Sequence, residues 1–169
     1  MQRPVDLPDF KMPPLNEVVF GIQFQPPVGY SQIHAGEVWQ LFKSDFPVVQ
    51  ELPPLPPQFE TFGLPATPSF NFGIFNPAQH NRFWFLSPDH TQLIQFQADR
   101  LLHNWRKIKG QLSEYPRFET MFDSFEAETR NFETYVGTLN PQTLHCHQVE
   151  ISYVNHIKLD HENAGKAAS

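Results

Sequence analysis

The sequence predicts an α+β fold: one antiparallel sheet with two helices packed on one of its faces. Two observations carry this. Segments that read as strands lie at 17–25, 82–86, 92–105 and 148–153, with apolar and polar residues alternating at a period of two in the first and the last two. After the first segment, and before the last, apolar residues recur at spacings of three and four, the mark of a helix buried along one stripe. The resulting order is strand, helix, strand, strand, helix, strand. That split βαβ order predicts a ferredoxin-like layer, βαββαβ.

Residues 1–14 hold four prolines and predict an extended arm. The first strand places Val18, Phe20, Ile22 and Phe24 on one face and Val19, Gly21, Gln23 and Gln25 on the other, and Pro26-Pro27 stops it. Ser31 is a suitable cap for a helix carrying Ile33, Val38, Leu41 and Phe42, with Trp39 beside them, and Pro47 marks its end. Residues 47–68 predict a Pro-rich loop in polyproline II conformation. It could serve as a PxxP ligand or as a stiff spacer. No Arg or Lys flanks its core to orient it in a partner's groove, which favours the spacer.

FNFGIF at 70–75 adds a short strand to the expectation. RFWFL at 82–86 and the long arm 92–105 form a hairpin around Ser87-Pro88-Asp89-His90, whose residue types suit a turn. On the long arm Ile94, Phe96 and Ala98 share a face, and Gln95, Gln97 and Asp99 share the other. Pro116 opens the second helix. Its stripe is Phe118, Phe122, Phe125, Thr129, Phe132 and Val136, with Gly137 as C-cap. The last strand sets Val149, Ile151 and Tyr153 against Gln148, Glu150 and Ser152. Residues 15–158 are thus expected to be a single domain, followed by a disordered tail at 159–169.

Charge and cysteine content narrow the function classes. Only 18% of residues are charged, and the net charge is −6, which argues against a general nucleic-acid binder. Residues 81–117 carry six Lys/Arg against three Asp/Glu, whereas 118–169 carry three against eight. A single cysteine, Cys146, excludes an intrachain disulfide and fits a reducing compartment. The first residues lack the apolar run of a signal peptide, and no stretch reaches the roughly 18 apolar residues of a membrane span. The expectation is a cytoplasmic protein with no membrane contact.

Several segments, in order, carry a resemblance: NEVVFGIQF, HAGEVWQLFKSDFPVVQELPPLPP, RFWFLSPDHTQLIQFQADRLLHNWRK, YPRFE and VEISYVNHI. Over residues 13–158 the chain resembles the N-terminal part of a sporadically distributed family of uncharacterised bacterial and archaeal proteins. Members of that family are longer and continue with a second strand-and-helix half. The resemblance therefore implies a truncated member. It implies no activity, cofactor or catalytic residue.

Four groups of residues are candidates for function. Arg100, Asn104 and Arg106, with Tyr115 beyond them, form the first. Read as one continuous strand, the segment puts the two arginines and the asparagine on the Ile94/Phe96 face, with Asp99 opposite. They could orient an anionic ligand, or they could be a structural hydrogen-bond network at a strand end. Arg100, His103, Trp105, Arg106, Lys107 and Lys109 form a basic run with an aromatic, the ingredients of a single-stranded nucleic-acid site. The chain has no RNP1-like segment to support that reading, and nucleic acid is not the expected partner.

His145-Cys146-His147 could begin a metal site with His156 or His80. However, alternation on a strand sends Cys146 away from the two histidines, and neither CxxC nor HExxH spacing occurs. No metal or other cofactor is expected. Glu119, Asp123 and Glu126 border the Phe stripe as a solvated edge, and Glu114, Glu128 and Glu133 belong to the same acidic segment. No nucleophile elbow, P-loop or GxGxxG is present, so the reading leans away from an enzyme. The fourth candidate is the polar sheet face of Gln23, Gln25, Gln95, Gln97, Asp99 and Glu150, with Ser152. Such a face needs a cover, and amides can hydrogen-bond across a contact with little charge to desolvate. The expected function is a non-catalytic module that binds a protein partner or its own kind.

Overall fold

The computed structural model describes residues 13–56, 80–110, 114–141 and 143–157. Its elements are β1 (Leu15–Phe24), a 3₁₀ turn (Gln32–His34), α1 (Ala35–Phe42), β2 (Val48–Leu52), β3 (Arg82–Leu86), β4 (Gln92–Gln97), β5 (Arg100–Arg106), α2 (Phe118–Leu139) and β6 (Cys146–Asn155). The six strands form one sheet in the order β2-β3-β4-β5-β1-β6, with every neighbour antiparallel. Residues 1–12 of the expected arm, 57–68 of the Pro-rich loop, the 70–75 strand and the 159–169 tail lie outside the described residues.

The α+β class holds, and the ferredoxin-like βαββαβ topology does not. The last strand does lie beside the first, and the first beside the strand that precedes the long helix. But three strands, where a split βαβ unit has one, separate β1 from the strand that follows α1. Two local events make the difference. Val48–Leu52, expected in the loop, pairs with β3 as an edge strand, and its bracketing by Pro47 and Pro53 keeps it short. The long arm 92–105 is two strands, because Ala98-Asp99 is a two-residue turn that sets Gln97 opposite Arg100.

The core lies between the sheet and the two helices. Val18, Phe20, Ile22 and Phe24 of β1 meet Ile94, Phe96, Leu101, Trp105 and Phe85 on the sheet side. Val38, Phe42, Met121, Phe125, Phe132 and Val136 close it from the helices. Aromatic rings tile this layer, with Phe20 against Phe118, Phe122 and Phe125, and Phe24 and Phe96 against Phe132. α2 runs past Gly137 to Leu139, so its C-cap is Asn140. It packs against β5 and β1, and α1 packs against β3.

The second face of the sheet is not bare. Val19, Leu86, Leu93 and Leu102 are buried on it, and Leu102 fills the space above Gly21. At one end the backbone of Leu55 and Pro56 lies against it. Leu55 N–H donates to Gln97 Oε1 at 2.9 Å, Gln97 Nε2 donates to Leu55 O at 3.0 Å, and Arg100 Nη2 donates to Pro56 O at 3.1 Å. The Pro-rich segment begins as a strap across the polar face.

Candidate functional site

The Ala98-Asp99 turn re-aims the residues that follow it. Arg100, Asn104 and Arg106 stand on the face of Gln95 and Gln97, opposite to the Ile94/Phe96 face on which a continuous strand would place them. A two-residue turn shifts the side-chain phase by one, which sends Leu101, His103 and Trp105 to the helices instead.

On the second face these groups form a hydrogen-bonded ladder across four strands. Asn104 Nδ2 donates to Glu17 Oε1 at 2.6 Å, and Gln95 Nε2 donates to Asn104 Oδ1 at 2.9 Å. Gln95 Oε1 accepts from Trp84 Nε1 at 2.8 Å and from Arg82 Nη1 at 3.1 Å. The Trp84 ring lies under the guanidinium groups of both Arg82 and Arg106, each 5.4 Å from its centroid. Burial, and then the nearby charge of Arg100, lowers the Arg82 guanidinium pKa. Arg100 Nε and Nη2 donate to Asp99 at 3.0 and 3.2 Å, and Arg106 Nε donates to His90 O at 3.0 Å. The arginines and amides thus serve one another and the backbone.

Tyr115 is not part of this group. It packs against Trp105 on the helix side, the rings tilted and 5.4 Å apart between centroids, where burial and then the adjacent Tyr153 raise its phenol pKa. Of the expected interface residues, Gln23 and Gln97 are 5% and 6% exposed, Gln95, Asp99 and Glu150 are half-buried, and Gln25 is exposed beyond the end of β1. Trp105 is buried and offers no ring to a nucleobase, while Lys107 and Lys109 are exposed. Among the described residues no three His, Cys, Asp or Glu side chains converge as metal ligands. No helix among them is long and apolar enough to cross a membrane.

Two features emerge that the sequence did not single out. The first is a cleft of about 310 Å³ between α2, the segment that follows α1 and the β3–β4 hairpin, lined by Asp45, Phe46, Ser87, Gln92, His103, Ser124 and Glu128. His103, 1% exposed, forms its floor. Its Nδ1 faces both oxygens of Glu128 at 2.9 and 2.8 Å, and its Nε2 faces Gln92 Oε1 at 3.0 Å. An oriented His-carboxylate pair resembles part of a nucleophilic triad, but an amide, rather than a hydroxyl, occupies the second ring nitrogen. The trace in the sequence is Glu128 itself, which sits three residues after Phe125 and four before Phe132, on the apolar stripe.

The second feature is the β6 edge. β6 pairs with β1 along its length, with one register shift near each end, between Leu15 and Glu17 and between Gln23 and Phe24, and in unbroken register from Gln148 to Val154; α2 packs on β1 and β5. Val149, Ile151 and Tyr153 point to the helix side and are 70%, 48% and 46% exposed. Gln148, Glu150 and Ser152, on the other face, are half-buried. The usual relation of apolar and polar residues to solvent is therefore inverted on this strand.

No family model, curated protein or solved structure matches this chain. The functional reading rests on the geometry alone.

Proposed function

We propose that this chain is a non-catalytic α+β module that associates with protein, either a partner or its own kind, through the β6 edge. The observation that supports this is the exposed apolar row Val149, Ile151 and Tyr153 on a ten-residue edge strand. Edge strands of monomeric proteins are short, or carry lysines, prolines or bulges that prevent pairing. β2, at the opposite edge, is five residues long between two prolines. β6 contains no Lys, Arg or Pro, and its one acid, Glu150, accepts from Ser152 Oγ at 2.8 Å. The Gln face, expected to be the contact, is largely engaged with the protein's own groups, so the reading moves to β6 and keeps Glu150 as a member. A cytoplasmic setting, with no nucleic acid as partner, belongs to the same proposal.

The test compares wild type with Ile151→Lys as bait in extracts of the source cells. A protein held by wild type and released by the variant, with the circular dichroism of the two unchanged, is the expected result. Identical captured sets overturn the reading.

A second reading is favoured by the His103 cleft. Two carboxylates, two hydroxyls and the Phe46 ring converge there, a setting for a small organic cation. Agmatine added at millimolar concentration raises the melting temperature under this reading, and no shift rules it out.

A further inference from the structure

We infer that the partner of the β6 edge is a second copy of β6, paired antiparallel about a twofold axis through Ile151. The inference rests on the association reading above and specifies its partner.

Register decides the pairing. In an antiparallel pair directly opposed residues share a face, so a symmetric pairing must be centred on a residue. Centred on Ile151, the pairing sets Val149 opposite the partner's Tyr153 and Glu150 opposite the partner's Ser152. Gln148 then faces the partner's Val154. Every apolar residue of the exposed row meets an apolar residue, and a β-branched side chain faces an aromatic, a favourable cross-strand pair. Each carboxylate meets a hydroxyl of the kind that already donates to it within one chain. Centring on Glu150 would set the two carboxylates against each other, and like charges directly opposed are destabilising. Centring on Ser152 would set Glu150 against the partner's Val154 and Val149 against the partner's Asn155. Only the Ile151 register satisfies both the apolar row and the charge.

The sheet then continues through the axis as twelve strands, twice the six of one chain. A twofold normal to the sheet keeps both α2 helices on the same face. The row left open beside each α2 becomes the floor between two helices, filled by Val149, Ile151 and Tyr153 from both chains. Tyr153 lies beside Tyr115, so the row runs on into the core of each copy. The helix side of β6 is flanked by strand on one side in a single chain and on both sides in the pair.

The experiment uses the full chain. Sedimentation from about 1 to 100 µM, a range suited to a micromolar Kd, is expected to show a mass rising toward twice 19.6 kDa. Ile151→Lys is expected to stay at one chain's mass with its circular dichroism intact. In a Cys146→Ser background, I151C places one thiol opposite its twin at about 4.5–5.5 Å between Cα atoms, within reach of a disulfide. It is expected to cross-link on mild oxidation, while V154C, displaced along the strand from its own copy, does not. A mass of one chain at the highest concentration overturns the self-pairing. A dimer in which V154C links as well as I151C overturns the register. A single-chain mass together with a captured protein lost in Ile151→Lys leaves the association reading standing without the self-pairing. A single-chain mass with identical captures overturns both.

Discussion

His103 on β5 and Glu128 on α2, 25 residues apart in sequence, bind through one ring nitrogen and both carboxylate oxygens. The contact is a polar tie between the long helix and the sheet, set in an apolar layer of aromatic and aliphatic side chains. A buried imidazole that loses its carboxylate keeps a desolvated N–H without a partner. Glu128→Ala is expected to lower stability by about 1–3 kcal/mol, read as a shift of the urea midpoint at constant slope. Glu133→Ala, on the same helix and exposed, is the comparison. Equal effects of the two substitutions would show that the tie contributes nothing.

Gln95 is the centre rung of the ladder on the other face, accepting from Trp84 and Arg82 and donating to Asn104. Gln95→Leu has nearly the right shape but strands the indole N–H and the Asn104 carbonyl. Its expected cost is about 2 kcal/mol, against less than about 0.5 kcal/mol for Gln25→Leu at an exposed site. Thermal unfolding of both variants decides the matter. A small effect at Gln95 would mean that water replaces the rungs and that the face is open to contact.

The two ends of the legibility scale lie within one stretch of chain. The β3–β4 hairpin was readable because Ser87, Pro88 and Asp89 are turn formers, and the Asp89 carboxylate does accept from Ser87 and Thr91. The next turn, Ala98-Asp99, has one such residue, Asp99, and no Gly, Pro or Asn beside it. Leu101 and Leu102 are both apolar, so alternation could not show that the phase had changed. Every facing beyond Asp99 then inverted, and with it the surroundings of Arg100, His103, Asn104 and Trp105. The α2 stripe was legible because a buried helix must repeat at its own period. The exposure of β6 was not, because alternation says which residues share a face and not whether a helix is long enough to cover that face.

Gly21 on β1 permits the close approach of Leu102. A Cβ at this position would lie 2.4 Å from Leu102 Cδ2 and 3.2 Å from Cγ. Leu102 is buried, so its side chain has little room to turn aside. Gly21→Ala is expected to destabilise by about 1–3 kcal/mol, the cost of overpacking. In a Leu102→Ala background the same substitution should cost much less. A double-mutant cycle measures the difference, and a coupling near zero would place the strain elsewhere.

Three phenols are shifted in the same direction, which gives the protein an alkaline limit. Burial raises the pKa of Tyr30, burial and then Tyr153 raise that of Tyr115, and burial and then Glu37 raise that of Tyr135, whose hydroxyl donates to Glu37 Oε2 at 2.7 Å. A raised pKa means that the folded state holds its protons where the unfolded chain releases them. The stability tied to these protons is complete below about pH 10, the value of a free phenol, and is lost progressively above it. Urea midpoints are expected to be level from pH 8 to about 9.5 and to fall beyond it, with phenolate absorbance of the folded protein lagging behind that of the unfolded chain. Tyr135→Phe removes one of the three protons and the tie between α2 and α1, so it should lower the midpoint at pH 8 and flatten the alkaline fall. An unchanged alkaline slope in that variant would remove Tyr135 from the set and leave the limit to Tyr30 and Tyr115.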